Sequence, residues 1–213
     1  MEETKKRTAV LCGSVVCIAA VTFLAGAVRY IGAPWLRITA LVAAHLLNGL
    51  TALAAMRLTG MKIDIDLKNW RQYFTGAALA LSLSLVIAVI PALCGVCLVG
   101  RHTDFTWGKL VYNLLFYLLI VGPVEEFIFR VYLQDVFVGL FKSSGWLGVI
   151  AADALFGLWH IINGNLLQVL FTFAIGLVFG FARYDVKDCG YVGAALGHGL
   201  YDFLNTLVTM FLI

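Results

Sequence analysis

The chain reads as all-α, a multi-pass transmembrane helical bundle of seven or eight helices in a single domain, residues 1–213. Two observations predict this class. Of the 213 residues, 62% are hydrophobic and 13% charged, and the charged share is about half that of a soluble domain. So much apolar surface exceeds what one soluble core can hide, and lipid is its natural solvent. The second observation is recurrence. Apolar runs close to the roughly 20 residues needed to span a bilayer follow one another along the whole chain.

The first run, 8–28, follows the basic Lys5, Lys6 and Arg7. It is long for the apolar part of a signal peptide and is expected to stay as an uncleaved first helix. Further candidates are 37–57, 73–99, 108–122, 145–163, 165–183 and 190–212, and a helical piece at 123–141 follows Pro123. Whether 108–141 is one broken helix or two decides between seven and eight. The polar stretch 57–72 alternates over Lys62–Lys68 and is too short for a domain, so it reads as a surface or interfacial segment. Cys94 and Cys97 have the spacing of a redox pair, but their apolar flanks and the odd total of five cysteines favour small packing residues.

Orientation follows from the basic residues. With a cytoplasmic N-terminus and seven crossings, ten lysines and arginines face the cytoplasm and four face outward, with Arg130 left inside the membrane. The compact form suits a bacterial cell membrane. The net charge of +3 is diffuse and no basic stripe carries interleaved aromatics, which argues against a nucleic-acid partner.

Ionisable residues inside a bilayer are costly and usually functional. Apart from His45, which reads as a packing residue, they fall in three places after residue 120. In Gly122-Pro123-Val124-Glu125-Glu126, the proline suits a first helical turn, where the helix dipole favours both carboxylates. Glu126 and Arg130, four apart, can pair along one face, which leaves Glu125 about 100° round the helix and free to face a cavity. In the second place, Phe156 and His160 share a helix face, and Asp153 can orient the His160 ring. In the third, His198 and Asp202 share a face that Asn205 continues. Taken alone, the first set is equally well a buried ion pair that fixes helix packing, the second is more often a hydrogen-bonded structural histidine, and the third is equally well a polar seam between helices. A rise of about 1.5 Å per residue puts Glu125 about 24 Å and His160 about 21 Å from the connection between their helices, and His198 about 12 Å from Gly190. The three sets can therefore meet.

The order Glu-Glu-x-x-x-Arg, Phe-x-x-x-His, His-x-x-x-Asn/Asp resembles the CPBP family of CAAX proteases and bacteriocin-processing or self-immunity (Abi) proteins. The matching stretch runs from about Val111 to Asn205, within a catalytic-like half at about 108–213. The resemblance implies a membrane hydrolase, an intramembrane peptidase acting on a membrane-associated peptide or protein in the lipid bilayer. It implies that Glu125 activates water, that His160, His198 and Asp202 complete the site, and that Glu126, Arg130 and Phe156 support it. Asp202 stands where the prenyl-protein branch often has Asn, which adds a negative charge and weakens any transfer of prenyl specificity. Two versions of the site stay open. In one, His160 and His198 with a carboxylate bind zinc, as in a metalloprotease. In the other, Glu125 acts as the base without metal, and the chain has no His-Glu-x-x-His. A non-catalytic scaffold or immunity protein and, further off, a transporter are the rival readings.

Overall fold

In the computed structural model, residues 2–162 and 164–213 are described, and all their regular structure is helical. The α-helices are α1 (Glu2–Gly26), α2 (Pro34–Leu58), α3 (Arg71–Ser84), α4 (Ile90–Leu93), α5 (Trp107–Phe116), α6 (Gly122–Glu126), α7 (Asp135–Phe141), α8 (Gly145–Trp159), α9 (Leu166–Asp185) and α10 (Tyr191–Phe211). Wider π-helical turns lie at Leu85–Val89, Tyr117–Val121 and Phe127–Gln134.

Four stretches are long and apolar enough to cross a membrane, at Thr4–Tyr30, Pro34–Leu58, Arg71–Leu93 and Leu166–Asp185. The protein is therefore a multi-pass membrane protein, but seven or eight crossings are not reached on these terms. α8 has 15 residues, about 22 Å at 1.5 Å per residue against a bilayer core of about 30 Å. α10 has 21 residues, but His198, Asp202 and Asn205 lower its hydropathy. Only 17% of the apolar windows of the first two spans is buried within the protein, so most of their side chains are left to lipid.

The chain divides into two compact units, each discontinuous in sequence. The first holds Met1–Asp64 and Phe127–Asp185. In it α1 and α2 are joined by a hydrogen bond from Asn48 Nδ2 to Thr22 Oγ1 (3.1 Å), and Ser14 Oγ meets Tyr132 Oη at 2.7 Å. Helices α8 and α9 approach closely because glycines face their partners: a Cβ on Gly157 would meet the Val169 carbonyl and Phe173, and one on Gly176 or Gly180 would meet the Asp153 carboxylate. Asp153 is completely buried there and pairs with the equally buried Arg130 (Nη1 to Oδ1, 2.6 Å). Arg130 Nη2 also donates to the Gly176 carbonyl (3.2 Å), and its guanidinium lies 5.0 Å from the Phe156 ring centre. One turn on, Gln134 Nε2 donates to Gly180 O, and Arg183 clamps Asp135 with two bonds of 2.7 and 3.0 Å.

The second unit holds Ile65–Glu126 and Val186–Ile213. Its main contact is α3 against α10, where a Cβ on Gly76 would strike the Gly193 carbonyl. The polar connection before α3 is tied to the turn before α10 by Asn69 Nδ2 to Asp188 Oδ1 (2.9 Å) and by Arg71 to Asp188 (3.7 Å). Asp188 has φ +65°, a left-handed turn that Asp tolerates better than most residues. α4 ends in a Schellman turn: Val96 N–H reaches Pro91 O, Gly95 N–H reaches Ala92 O, and Gly95 sits at φ +77°. The cysteines on either side of Gly95 therefore differ from expectation. Cys94 and Cys97 are exposed on a helix-stopping turn, with free thiols, and do not pack in the interior.

Removing one partner of the Arg130–Asp153 pair strands a charge in an apolar interior. Asp153→Ala is expected to cost about 3–5 kcal/mol, and Arg130→Met in the same chain to recover part of that loss. Thermal unfolding of the purified protein in detergent measures both.

Candidate active site

The Gly122–Glu126 helix begins with a glycine and a proline, each with a separate job. Pro123 lacks an N–H, and the chain before it widens into the π-turn Tyr117–Val121, which accommodates the missing bond. Gly122 lets the backbones touch: a Cβ there would meet the Ala195 carbonyl and the Gly199 amide of α10. Gly199 is the reciprocal contact, since its Cβ would meet Tyr117 O. Tyr191, at the start of α10, donates its hydroxyl to the Pro123 carbonyl (3.0 Å). Three contacts thus hold the Glu125–Glu126 turn against α10, which carries His198 and Asp202.

At that contact lies a compact cluster. His198 Nδ1 is 2.8 Å from Glu126 Oε1. An ionised carboxylate only accepts, so Nδ1 carries the proton and donates it. The other ring nitrogen, Nε2, faces Asp202 Oδ2 at 3.4 Å and Glu125 Oε2 at 4.0 Å. Glu125, Glu126 and His198 are 5%, 0% and 5% exposed, so the cluster is shielded from bulk solvent, whereas the Asp202 side chain is partly open. A proton on Nε2 or on Asp202 lets these two atoms meet without lone-pair repulsion. Three carboxylates around one imidazole give an arrangement rich in acceptors. It can take a proton from water at Glu125 and offer a hydrogen-bond donor to a developing negative charge from the His198–Asp202 side.

This partly revises the sequence expectation. Within its unit Glu126 holds the His198 ring, and within the other unit Arg130 holds Asp153. Asp153, expected to orient His160, is the partner of Arg130. The ring of His160 is set by its own helix end. α8 stops at Trp159, and His160 Nδ1 donates to the Phe156 carbonyl (2.9 Å), which leaves Nε2 with its lone pair. The Phe156 ring packs edge-on against His160 at 4.9 Å and against Phe129 at 5.0 Å. Arg130, Phe156 and His160 thus belong to the first unit, and Glu125, Glu126, His198 and Asp202 to the second.

Sequence reading missed Tyr191 and the pairing of Gly122 with Gly199. No local signal singled out Tyr191. The glycines at 193, 197 and 199 on α10 were a readable sign of close helix approach.

Zinc sites use three or four N, O or S ligands at about 2.0–2.3 Å. Among the described residues, no group of three or more His, Cys, Asp or Glu is arranged to hold a metal ion. No step below runs through a metal.

Residues 107–204 match the family described as Type II CAAX prenyl endopeptidase Rce1-like. This is nearly half of the chain, and it contains all the cluster residues together with Arg130, Phe156 and His160. No curated protein and no solved structure matches the chain.

Because Gly199 touches backbone, Gly199→Val should force α10 away from the Tyr117–Gly122 turn and destabilise the protein by about 1–3 kcal/mol, as overpacking does. Tyr191→Phe removes one hydrogen bond and should cost only about 0.5–1.5 kcal/mol. Denaturant or thermal unfolding in the same detergent ranks the two.

Proposed function

We propose that this chain, which carries an Rce1-like domain of the CAAX protease family over residues 107–204, is an intramembrane endopeptidase that hydrolyses a peptide bond in a membrane-embedded substrate by Glu/His-activated water. The observation that carries this reading is that the buried Glu125 and Glu126 and the partly open Asp202 meet the buried imidazole of His198 inside the matched domain. Glu125 takes a proton from water as the water oxygen attacks the scissile carbonyl. The negative charge that develops on the carbonyl oxygen is met by the proton held between His198 Nε2 and Asp202. As the C–N bond breaks, Glu125 passes its proton to the departing amine. Glu126 acts through His198, holding the ring and its tautomer as the buried carboxylate of a serine-protease triad holds its histidine.

His160 enters on the motif order alone, as a second residue that holds or activates the water. Its Nδ1–H···O=C bond supports this, since it leaves Nε2 able to accept from water. The bias in basic residues supports seven crossings, a cytoplasmic N-terminus and placement in the cell membrane. The whole chain is read as one transmembrane domain whose catalytic half is about 108–213.

Purified protein, reconstituted with a candidate membrane peptide, tests the reading. Glu125→Gln and His198→Ala are expected to lower kcat by about 10²–10⁴-fold. Glu126→Gln should lower kcat with little change in KM, because it touches no substrate. Cleavage is expected to persist with a chelator present. Equal cleavage by wild type and all three variants would end the assignment. A cellular phenotype that survives Glu125→Gln and His198→Ala would point to a scaffold.

A further inference from the structure

The second unit has an apolar groove of about 420 Å³ between α3, with the π-turn that follows it, and the last two turns of α10. Its walls include Leu81, Ser84 and Leu85 on one side and Leu204, Leu207 and Phe211 on the other. The size lies within the range of ligand sites, about 300–1,000 Å³.

Ser84 is the exception in this lining. It is 3% exposed, and its hydroxyl has no hydrogen-bond partner among the described residues. A hydroxyl on an apolar helix normally donates to the carbonyl four residues back. Thr75 on the same helix does so at 3.0 Å, and Thr206 on α10 does so at 3.1 Å. A buried donor left without an acceptor costs about 1–3 kcal/mol. The groove therefore suits a ligand that is apolar yet brings a hydrogen-bond acceptor to Ser84.

The groove also starts at the depth of the cluster. α3 and α10 run parallel, with Gly190 against Gln72 and Gly76 against Gly193. At equal rise, Ser84, eight residues beyond Gly76, comes level with about Tyr201, next to Asp202. From there the groove continues toward the end of α10.

We infer that this groove is a substrate subsite for an extended apolar peptide segment flanking the scissile bond, with Ser84 donating to a backbone carbonyl of that segment. The inference rests on the peptidase reading above and adds the substrate class. A peptide bond can be attacked only where the substrate helix is unwound, and an unwound backbone in a bilayer exposes carbonyls that need donors. Hydrocarbon chains alone, whether acyl or isoprenoid, would fill the groove but leave the Ser84 hydroxyl unmet.

The test uses the full chain in nanodiscs, with Glu125→Gln as the background. The probe is a leucine-rich peptide carrying a photoreactive leucine and biotin. Capture should map to Leu204 and Leu207. Ser84→Ala should weaken it by about 2–10-fold, the value of one hydrogen bond, and Leu207→Trp should fill the groove and abolish it. An isoprenoid thioether or excess phosphatidylcholine should compete poorly. Capture elsewhere, or capture indifferent to both variants, would overturn the subsite, as would ready displacement by either competitor with no effect of Ser84→Ala. Capture does not require cleavage, so the two readings fail separately. The expected capture pattern, with no cleavage of the same peptide by the wild-type chain, would keep the subsite and remove the catalytic reading.

Discussion

The hydrogen bond between His198 and Glu126 organises the second unit. Both side chains are buried, and neither would be tolerated in apolar surroundings without the other. Their pairing demands that the Glu125–Glu126 turn lie within a hydrogen bond of α10. The contacts around it serve that demand, with Gly122 and Gly199 removing the side chains that would keep the backbones apart and Tyr191 tying down the Pro123 carbonyl. With the ring so held, Nε2 points toward Glu125 and Asp202, the groups proposed for the chemistry.

The first unit solves a similar problem in a similar way. Arg130 and Asp153 have no exposure and meet each other, with Gly176 supplying a carbonyl and the Phe156 face lying under the guanidinium. Glycines again make room, since any Cβ at Gly176 or Gly180 would collide with the carboxylate. In both units a buried charge is placed by small residues on the facing helix. In both, a helix end or a π-turn supplies backbone geometry that a regular α-helix lacks. The end of α8 at Trp159 lets His160 bond to Phe156 O and keep its other nitrogen open.

This pattern separates the residues proposed for chemistry from those that hold the fold. Residues that carry charge fully inside, Glu126, Arg130 and Asp153, read as structural anchors. The group proposed to do chemistry, Glu125, shares its turn with an anchor, and Asp202 is partly open. A reactive carboxylate must meet water and substrate, whereas an anchoring one must be shut away from both. Glu125 and Glu126 are both buried, and it is Asp202 that opens the cluster on one side.

Composition and run length alone determined that the chain is helical and lives in a membrane, because 62% hydrophobic residues in recurrent runs leave no aqueous fold to adopt. The motif residues were equally legible, since an ionisable group on an apolar helix stands out against its neighbours. Partner choice was not. Spacing of seven placed Asp153 with His160, and no local spacing pointed from Glu126 to His198, because sequence periodicity sees only one helix at a time. The structure pairs each of these carboxylates across helices, Glu126 with His198 and Asp153 with Arg130. Which partner wins depends on how closely two helices can approach, and that distance is set by glycines far away in the chain. The same holds for Ser84, which in sequence is only one residue of the apolar run 73–99. Its isolation in a groove appears only when the end of α10 is laid beside it.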